Sequence, residues 1–312
     1  MEYRVLGNTS IKVSRMCFGS LTIGPLQRNL SISEGSRLIL QALEAGVNFI
    51  DTAQLYRNYG YIRQALRSWR EEVVIATKSY AYTAEMMQNA LEEARRELEL
   101  DQIPIFMLHE QESEHTIRGH WPALEYLLKA REQGKVKAVG ISTHHVQGVE
   151  GACKYPEIEV ISPLINLTGI GIQGGSRDHM LAAVKKAKAL GKGIYAMKPL
   201  GGGHLISRQQ AAFQFVLEQE DLDAIAVGMK SEQELRRNLA YFNGESVGDD
   251  PVEYNERKLH IDDWCLVCGR CVSACPSRAL TETPNEIVVD QSKCVFCGYC
   301  GAVCPEFAIK VI

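Results

Sequence analysis

Two cysteine runs near the C-terminal end of the chain have a spacing that can bind iron–sulfur clusters. Eight of the ten cysteines in the 312-residue sequence lie between positions 265 and 304. Each run reads C-x2-C-x2-C-x3-C-P, a spacing in which the fourth cysteine of one run binds the cluster held by the other run. The runs therefore predict two [4Fe–4S] clusters, one bound by Cys265, Cys268, Cys271 and Cys304 and the other by Cys294, Cys297, Cys300 and Cys275.

A pair of zinc sites is the alternative for these cysteines. Zinc ribbons use two separated C-x2-C pairs, whereas each run here has four cysteines in succession. Disulfide bonds are disfavoured, because the chain shows no secretory leader and is expected in a reducing compartment. The glycines after Cys268, Cys297 and Cys300 are expected to let backbone amides approach the sulfides. Cys17 and Cys153 stand alone, which indicates ordinary core residues.

A second set of residues with complementary acid–base chemistry follows three successive apolar runs. Asp51 and Tyr56 follow the second run of the chain, Lys78 the third and His109 the fourth. Each of them alone has a structural explanation, such as a solvated lysine or a satisfied histidine. Their occurrence at the ends of successive runs predicts that they share one site, provided that these runs are neighbouring strands.

Eight short β-rich runs alternate with stretches of helical periodicity and supply the elements that would position these residues. The stretch 83–100 has apolar or small residues at 87, 90, 91, 94 and 98, which is helical spacing. Eight strands, each followed by a helix, predict a (β/α)8 barrel with its reactive groups at the strand ends. A doubly wound sheet is the alternative, but no G-x-G-x-x-G follows the first strand. The predicted strands are 13–18, 47–50, 73–76, 103–108, 138–141, 160–165, 193–197 and 224–227.

Three regions follow from this pattern. Residues 1–245 are predicted to form the barrel, preceded by a hairpin at 3–14 that could close its N-terminal mouth. A polar segment with glycine and proline, 246–262, is predicted to be a linker. Residues 263–312 are predicted to form a small α+β module of the ferredoxin type.

Composition and charge limit the classes of partner. The sequence is 46% hydrophobic and carries a net charge of −4, and residues 249–312 account for all of it, with ten Asp or Glu and six Lys or Arg. The absence of a basic block argues against a nucleic-acid partner. No apolar run is long enough for a membrane span, so we expect a soluble, cytoplasmic protein that does not enter membranes.

Residues 1 to about 245 resemble the aldo-keto reductase family, and the whole chain resembles the branch with a C-terminal ferredoxin domain. The resemblance implies that Asp51, Tyr56, Lys78 and His109 are the catalytic tetrad of a reductase that uses NADP or NAD. It also implies a small carbonyl compound as substrate and, through the module, a redox partner protein. The matching segments are LGNTSIKVSRMCFGS, GVNFIDTAQLY, VVIATKS, FMLHE, KAVGIST, AMKPLGGG and VGMKSEQELRRNL.

Reduction of a carbonyl by hydride leaves negative charge on oxygen, which must be protonated as it develops. Tyr56 is expected to be the acid, and the ammonium of Lys78 is expected to lower the pKa of this tyrosine towards neutrality. Asp51 would hold Lys78 charged and oriented. His109 would form a hydrogen bond to the carbonyl oxygen and fix the substrate.

The resemblance also implies which residues contact the cofactor. The nicotinamide amide is assigned to Ser142 and Asn166, and the pyrophosphate to Leu200, Gly201, Gly202 and Gly203, where glycines allow backbone amides close to phosphate. The adenosine end is assigned to Lys230, Ser231, Glu234 and Asn238. His144 is expected to be a loop histidine.

The sequence departs from the family at three positions in or near the predicted cofactor site. Ser162 stands where a glutamine is usual, and Ile165 stands where an aromatic is common. Glu234 would repel a 2′-phosphate, whereas Lys230 would attract one, and the balance slightly favours tolerance of NADH. One-electron clusters and a two-electron hydride site also do not couple directly, and no flavin fingerprint is present.

Three functions remain open at this point. The first is reduction of a carbonyl, and the second is a redox-sensing or binding protein whose barrel holds a nucleotide with little turnover. The third is an electron-transfer subunit whose acidic tail meets a basic partner surface.

Overall fold

The computed structural model describes residues 1–245, 247 and 257–312. Within these ranges the chain forms a closed barrel of eight parallel strands surrounded by helices, and a small C-terminal module of short strands and helices. The predicted (β/α)8 barrel and ferredoxin-like module are thereby confirmed as the fold. No helix among the described residues is long and apolar enough to cross a membrane.

An antiparallel hairpin closes the N-terminal end of the barrel, as predicted. Its strands are β1 (Tyr3–Val5) and β2 (Lys12–Ser14). Three apolar side chains of this segment pack into the same buried cluster as the inward-facing residues of the barrel: Leu6, Ile11 and Val13. The hairpin therefore fills the bottom of the barrel and leaves the opposite mouth for the site.

The eight barrel strands pair in chain order, and the last closes onto the first through Ala226 and Cys17. The strands at Ile103 and Gly193 begin and end where the sequence predicts. The third barrel strand runs further than predicted and includes Lys78. The strands are β3 (Met16–Gly19), β4 (Phe49–Asp51), β5 (Val74–Ser79), β6 (Ile103–Leu108), β7 (Val136–Thr143), β8 (Val160–Pro163), β9 (Gly193–Met197) and β10 (Ala224–Gly228).

The helices around the barrel begin at polar caps that the sequence provides. Ser31 accepts from the backbone N–H of Glu34, and the Glu34 carboxylate accepts from the N–H of Ser31, which satisfies two donors at the start of α1. Thr83 caps α3 in the same way through one bond. The helices are α1 (Ile32–Glu44), α2 (Tyr59–Leu66), α3 (Ala84–Leu98), α4 (Glu114–Gly119), α5 (Trp121–Glu132), α6 (Val146–Ala152), α7 (Arg177–Ala189), α8 (Gln209–Leu217) and α9 (Glu232–Phe242).

The C-terminal module begins earlier than predicted. Its first strand, β11, lies inside the predicted linker 246–262 and pairs antiparallel with the last strand, β14. The remaining part of that linker, apart from residue 247, lies outside the described residues up to position 256. The elements are β11 (Leu259–Ile261), α10 (Arg270–Ser273), β12 (Leu280–Glu282), β13 (Ile287–Val289), α11 (Tyr299–Ala302) and β14 (Ile309–Val311).

The module packs against the C-terminal mouth of the barrel, on the side of β8 and β9. The Gln173 side chain donates to the carbonyl of Pro305, and His204 Nε2 lies 2.9 Å from the carbonyl oxygen of Ile309. A Cβ atom on Gly171 would lie 2.8 Å from the Phe307 ring. The fold therefore places the cysteine module beside the strand ends where the acid–base residues lie.

Candidate active site and cluster sites

The alternation of side chains along three neighbouring strands brings the predicted tetrad to one place. Asp51 lies two positions after Phe49, and Lys78 lies two after Ala76. Phe49 and Ala76 belong to the apolar cluster inside the barrel, so the two polar residues also face inward, one layer higher. His109 has the same relation to the inward-facing Met107. The apolar interior thus ends in a polar top layer.

Lys78 and Asp51 form a buried ion pair. The ammonium donates to Asp51 Oδ1 at 2.7 Å and to the carbonyl oxygen of Thr52 at 2.8 Å. Asp51 Oδ1 also accepts from the hydroxyl of Tyr195 at 2.8 Å. Tyr195 was not singled out from the sequence, although a tyrosine in the inward register of β9 must find a hydrogen-bond partner. The pair is therefore fixed from two sides.

Tyr56 ends a short 3-10 helix and lies against this pair. The Lys78 ammonium is 5.2 Å from the centre of the Tyr56 ring, and the ring of His109 is 5.9 Å away edge-on. Burial, followed by the negative charge of Asp51, raises the pKa of Tyr56 well above its usual range. In this structure the pKa of Tyr56 therefore lies above its usual value and not towards neutrality, although the Lys78 ammonium is close to the ring.

His109 is buried and neutral. Burial lowers its pKa to about 3, although the neighbouring Glu110 acts in the opposite direction. The imidazole stacks on Tyr80 at 4.3 Å between ring centres, and the Tyr80 hydroxyl donates to Glu110 at 2.6 Å. A neutral imidazole carries one N–H donor and one acceptor, so His109 can donate to a carbonyl oxygen without carrying charge.

A chain of polar side chains continues from Glu110 towards the module. His144 Nε2 lies 3.5 Å from Glu110 and 2.7 Å from the ammonium of Lys198. Glu110 and Lys198 both have left-handed backbone conformations, with φ of 49° and 59°, which non-glycine residues rarely adopt. His144 follows β7 in a loop, as expected, and contacts Glu110 and Lys198 at the barrel mouth.

One cavity of about 440 Å³ connects two residues of the tetrad, Asp51 and Tyr56, with most of the predicted cofactor residues. The predicted residues that line it are Asp51, Tyr56, Leu200, Gly202, Gly203, Lys230, Ser231, Glu234 and Asn238. The lining extends from Asp51 and Tyr56 at the barrel mouth to Ser231, which caps α9.

Ser142 and Asn166 do not line this cavity. The Ser142 hydroxyl accepts from the backbone N–H of Glu110 at 2.9 Å. The Asn166 side chain donates to the carbonyl of Ile170 at 2.9 Å and accepts from its N–H at 3.1 Å. Both side chains hold backbone turns in this structure, and their contact with the nicotinamide amide stays a prediction.

The glycine segment packs against the module. Gly202 and Gly203 have φ of 65° and 91°. A Cβ on Gly202 would lie 2.8 Å from Cδ of Lys310, and one on Gly203 would overlap the carbonyl of Val311. The close approach that these glycines permit is therefore to strand β14. Both glycines also line the cavity, and the approach of a phosphate to them stays a prediction.

At the far end of the cavity, Glu234 is already engaged. It accepts from the backbone N–H of Lys230 at 2.9 Å and lies 3.5 Å from the guanidinium of Arg257, which belongs to the module. Arg28 and Arg237 line the same cavity. The far end of the cavity therefore carries positive as well as negative side chains.

The cysteines of the module are arranged in two similar loops, 29 positions apart. Residues 267 and 296 have φ of 51° and 52°, and the sulfurs of Cys275 and Cys304 each accept from a backbone N–H at 3.3 Å. One small cavity is lined by four cysteines, namely Cys265, Cys268, Cys271 and Cys304. Among the described residues no group of three or more His, Cys, Asp or Glu side chains forms a site for a single ion.

At Gly301 a Cβ would lie within contact of the His204 ring, and at Gly269 within contact of the Glu282 carboxylate. The expected reason for these glycines, an approach of amides to sulfide, is therefore joined by a packing reason. Gly298 and Gly269 also have positive φ, 84° and 69°, which glycine adopts without strain.

Comparison with protein-family models gives two matches. Residues 15–210, more than half of the chain, match the aldo/keto reductase family. Residues 257–305 match the 4Fe-4S dicluster domain.

Several characterised proteins and solved structures are similar to the chain. A 6-dehydroglucose reductase of Novosphingobium aromaticivorans is 28% identical over 73% of this chain and 78% of its own. An NADH-specific methylglyoxal reductase of Escherichia coli is 25% identical over 76% and 92%. The structure of aldo-keto reductase AKR11C1 from Bacillus halodurans in its holo form is 20% identical, with a TM-score of 0.66 over 80% and 93%.

The barrel, the inward-facing ion pair and the family match agree with one another. The chain belongs to the aldo/keto reductase family and carries a C-terminal 4Fe-4S dicluster-type domain.

Proposed function

We propose that the protein reduces a small carbonyl compound with a nicotinamide dinucleotide, and that Tyr56 is the acid. The observation that carries the proposal is the buried Lys78–Asp51 pair beside Tyr56, at one end of the cavity of about 440 Å³. A reduced nicotinamide, when bound, supplies the hydride that the carbonyl carbon accepts. The residues of the chain must then manage the charge on the carbonyl oxygen.

Tyr56 would give its hydroxyl proton to that oxygen, which yields the alcohol and a tyrosinate. The raised pKa of Tyr56 keeps the proton in place until charge develops on the substrate. Lys78 would then stabilise the tyrosinate, and Asp51 with Tyr195 would hold the ammonium in position. His109, neutral near pH 7, would donate its N–H to the same oxygen.

The substrate is proposed to be a small polar carbonyl compound. Tyr80, Glu110, His144 and Lys198 give the barrel mouth hydrogen-bonding groups beside His109. The relatives named above act on a dehydroglucose and on methylglyoxal, and both substrates are small and polar. Aldehydes and ketones with neighbouring hydroxyl or oxo groups are therefore the first compounds to test.

Either nucleotide fits the charge at the far end of the cavity. Glu234 could accept from a ribose 2′-hydroxyl, whereas Arg28, Arg237 and Arg257 could balance a 2′-phosphate. We propose that the protein binds both NADH and NADPH. Titration of each into the protein, followed by the quenching of its fluorescence, measures the preference.

The two cysteine loops are proposed to hold two [4Fe–4S] clusters with the ligands given by the sequence. The cavity lined by Cys265, Cys268, Cys271 and Cys304 supports the first set. The repeated loop conformation supports the second set by analogy of geometry. Iron and sulfide analysis of anaerobically purified protein would give about eight of each per chain if both sites are filled.

Replacement of Tyr56 by phenylalanine tests the role of the acid. We expect turnover to fall by about 10²–10⁴-fold, while the dissociation constant of NADPH changes little. Tyr82→Phe is the matched control, because Tyr82 is 55% exposed and lies outside the cavity. Unchanged turnover in Tyr56→Phe would refute the assignment.

A second function, electron exchange or redox sensing, is favoured by one contact. Phe307, three residues after Cys304, lies edge-on to His144 at 6.1 Å and under Lys198 at 5.1 Å. The loop of one cluster site therefore reaches the barrel mouth. Anaerobic titration with NADH or NADPH would bleach the cluster absorbance if the two sites exchange electrons. Carbonyl reduction without bleaching would argue against this function.

A further inference from the structure

Both domains form the wall of the proposed nucleotide cavity. The barrel supplies most of the lining, and the module contributes Arg257 together with Lys310, Val311 and Ile312 at the end of β14. The side chain of Lys310 lies directly against Gly202, which lines the same cavity. A ligand in the cavity would therefore contact the module as well as the barrel.

Lys310 is an ammonium group with unfilled hydrogen-bonding capacity. The residue is only 5% exposed, and its Nζ makes no hydrogen bond within the part of the chain that the structure describes. Its partners are Asp262, 3.5 Å away, and the face of Phe307, with the ring centre at 3.7 Å. An ammonium has three donors, and burying one without hydrogen bonds is costly.

A second ammonium approaches the same aromatic ring from the barrel. Lys198 Nζ lies 5.1 Å from the centre of Phe307, and Lys198 also lines the cavity. Its left-handed backbone, with φ of 59°, turns the chain at this point. Two like charges held beside one ring repel each other, and each is stabilised by an anion between or beside them.

We propose that Lys310 of the module and Lys198 of the barrel form a site for an oxyanion, a phosphate or a carboxylate, of the bound ligand. This inference rests on the proposed function for the presence of a nucleotide in the cavity. The oxyanion belongs either to a phosphate of the dinucleotide or to an acidic group of the substrate. In both cases the cluster module completes a binding site that the barrel alone leaves open.

The test compares three variants of the complete, cluster-loaded protein. Lys310→Met removes the charge but keeps most of the side-chain volume, and Lys310→Arg keeps the charge. Lys258→Met is the control, because Lys258 is an exposed lysine of the same module that does not line the cavity. Cluster absorbance and the urea unfolding midpoint verify that each variant is folded and loaded.

The first measurement is the dissociation constants of NADPH and NADH without substrate. If the anion is a nucleotide phosphate, Lys310→Met weakens binding by about ten-fold or more, because a charge-assisted hydrogen bond is lost. Lys310→Arg would keep most of the affinity, and Lys258→Met all of it. The affinity of Lys310→Met would also depend less on salt.

The second measurement is KM for an aldehyde that bears a carboxylate, compared with a neutral aldehyde of similar size. If the anion belongs to the substrate, Lys310→Met raises KM for the acidic aldehyde alone. The inference is overturned if Lys310→Met matches Lys258→Met in both measurements while the wild type binds nucleotide. A wild type that binds neither nucleotide and reduces no aldehyde would overturn the proposed function itself, and the inference with it.

Discussion

Two buried lysines, one from the barrel and one from the module, differ in their surroundings. Lys78 donates to a carboxylate at 2.7 Å and to a backbone carbonyl at 2.8 Å. Lys310 has a carboxylate at 3.5 Å and an aromatic ring, without a hydrogen bond to any described residue. Burial, followed by the charge of the neighbouring Lys198, lowers the pKa of Lys310 to about 7, against the opposing effect of Asp262.

The comparison distinguishes a lysine whose hydrogen bonds are supplied by the fold, Lys78, from one that we propose binds a ligand, Lys310. The fold itself satisfies Lys78, so its charge is available to a neighbour, Tyr56, without rearrangement. Lys310 has the carboxylate of Asp262 at 3.5 Å but no hydrogen bond to the described residues, so the proposed oxyanion would supply the acceptor that it lacks. The predictions below test whether the first lysine serves chemistry and whether the docking of the module positions the second.

The largest effect is expected from Lys78→Met. Loss of the ammonium leaves Asp51 buried without its cation, which costs about 3–5 kcal/mol of unfolding free energy, and turnover should fall by about 10²–10⁴-fold. Urea unfolding and single-turnover reduction of an aldehyde measure the two effects. Lys137→Met is the control, since Lys137 is an exposed lysine of the barrel. Equal turnover in both variants would contradict a catalytic role for Lys78.

A smaller effect is expected when the docking of the module is disturbed by Gly203→Ala. The new Cβ would overlap the carbonyl of Val311, so we expect a loss of about 1–3 kcal/mol and weaker nucleotide binding. Gly134→Ala is a matched control, because Gly134 has a similar positive φ of 73° with no atom within 4 Å. If the two variants lose the same stability and affinity, backbone strain alone explains the effect.

The sequence predicted the first of these lysines and missed the second for a physical reason. Lys78 lies just beyond the β-rich run 73–76, and Asp51 and Tyr56 lie just beyond the preceding run, so their meeting at one barrel mouth follows from the order of the strands. Lys310 lies in a three-residue strand at the end of the cysteine module. Its position in the cavity wall depends on how the module packs against the barrel, and no local sequence pattern encodes that packing.

Other features that the sequence did not predict also lack a clear local pattern or depend on the packing of distant segments. Helices α2 and α6 are short, of 8 and 7 residues, and their periodicity is too brief to indicate a helix with certainty from spacing. Gly202 and Gly203 closely approach Lys310 and Val311 of β14. No local pattern indicates this contact, because β14 is distant in sequence. Tyr195 had a detectable signal, since a hydroxyl among inward-facing apolar residues requires a buried acceptor.

The smallest effect is expected in the pH dependence of carbonyl reduction, through His109 at the barrel mouth. Its pKa is lowered to about 3 by burial, and the charges of Lys78 and Lys198 act in the same direction. The imidazole therefore stays neutral from pH 5 to pH 8, and carbonyl reduction should show no inflection in that range due to His109. His109→Gln, which keeps a donor, should lower kcat yet leave the shape of the pH profile unchanged.

The stability of the protein provides an independent check of the same pKa. Because the folded state takes up this proton only near pH 3 while the unfolded state does so near 6.5, the unfolded chain binds more protons between these values. The contribution of His109 to stability is therefore complete above pH 6.5 and declines as the pH falls towards 3. Between pH 6.5 and pH 3, urea unfolding should therefore show the wild type losing stability relative to His109→Gln, because the variant has no titrating side chain at this position. The rate of carbonyl reduction by the wild type could instead show an inflection near pH 6.5 that His109→Gln abolishes. That result would contradict the lowered pKa and would show that solvent reaches His109 despite its packing against Tyr80.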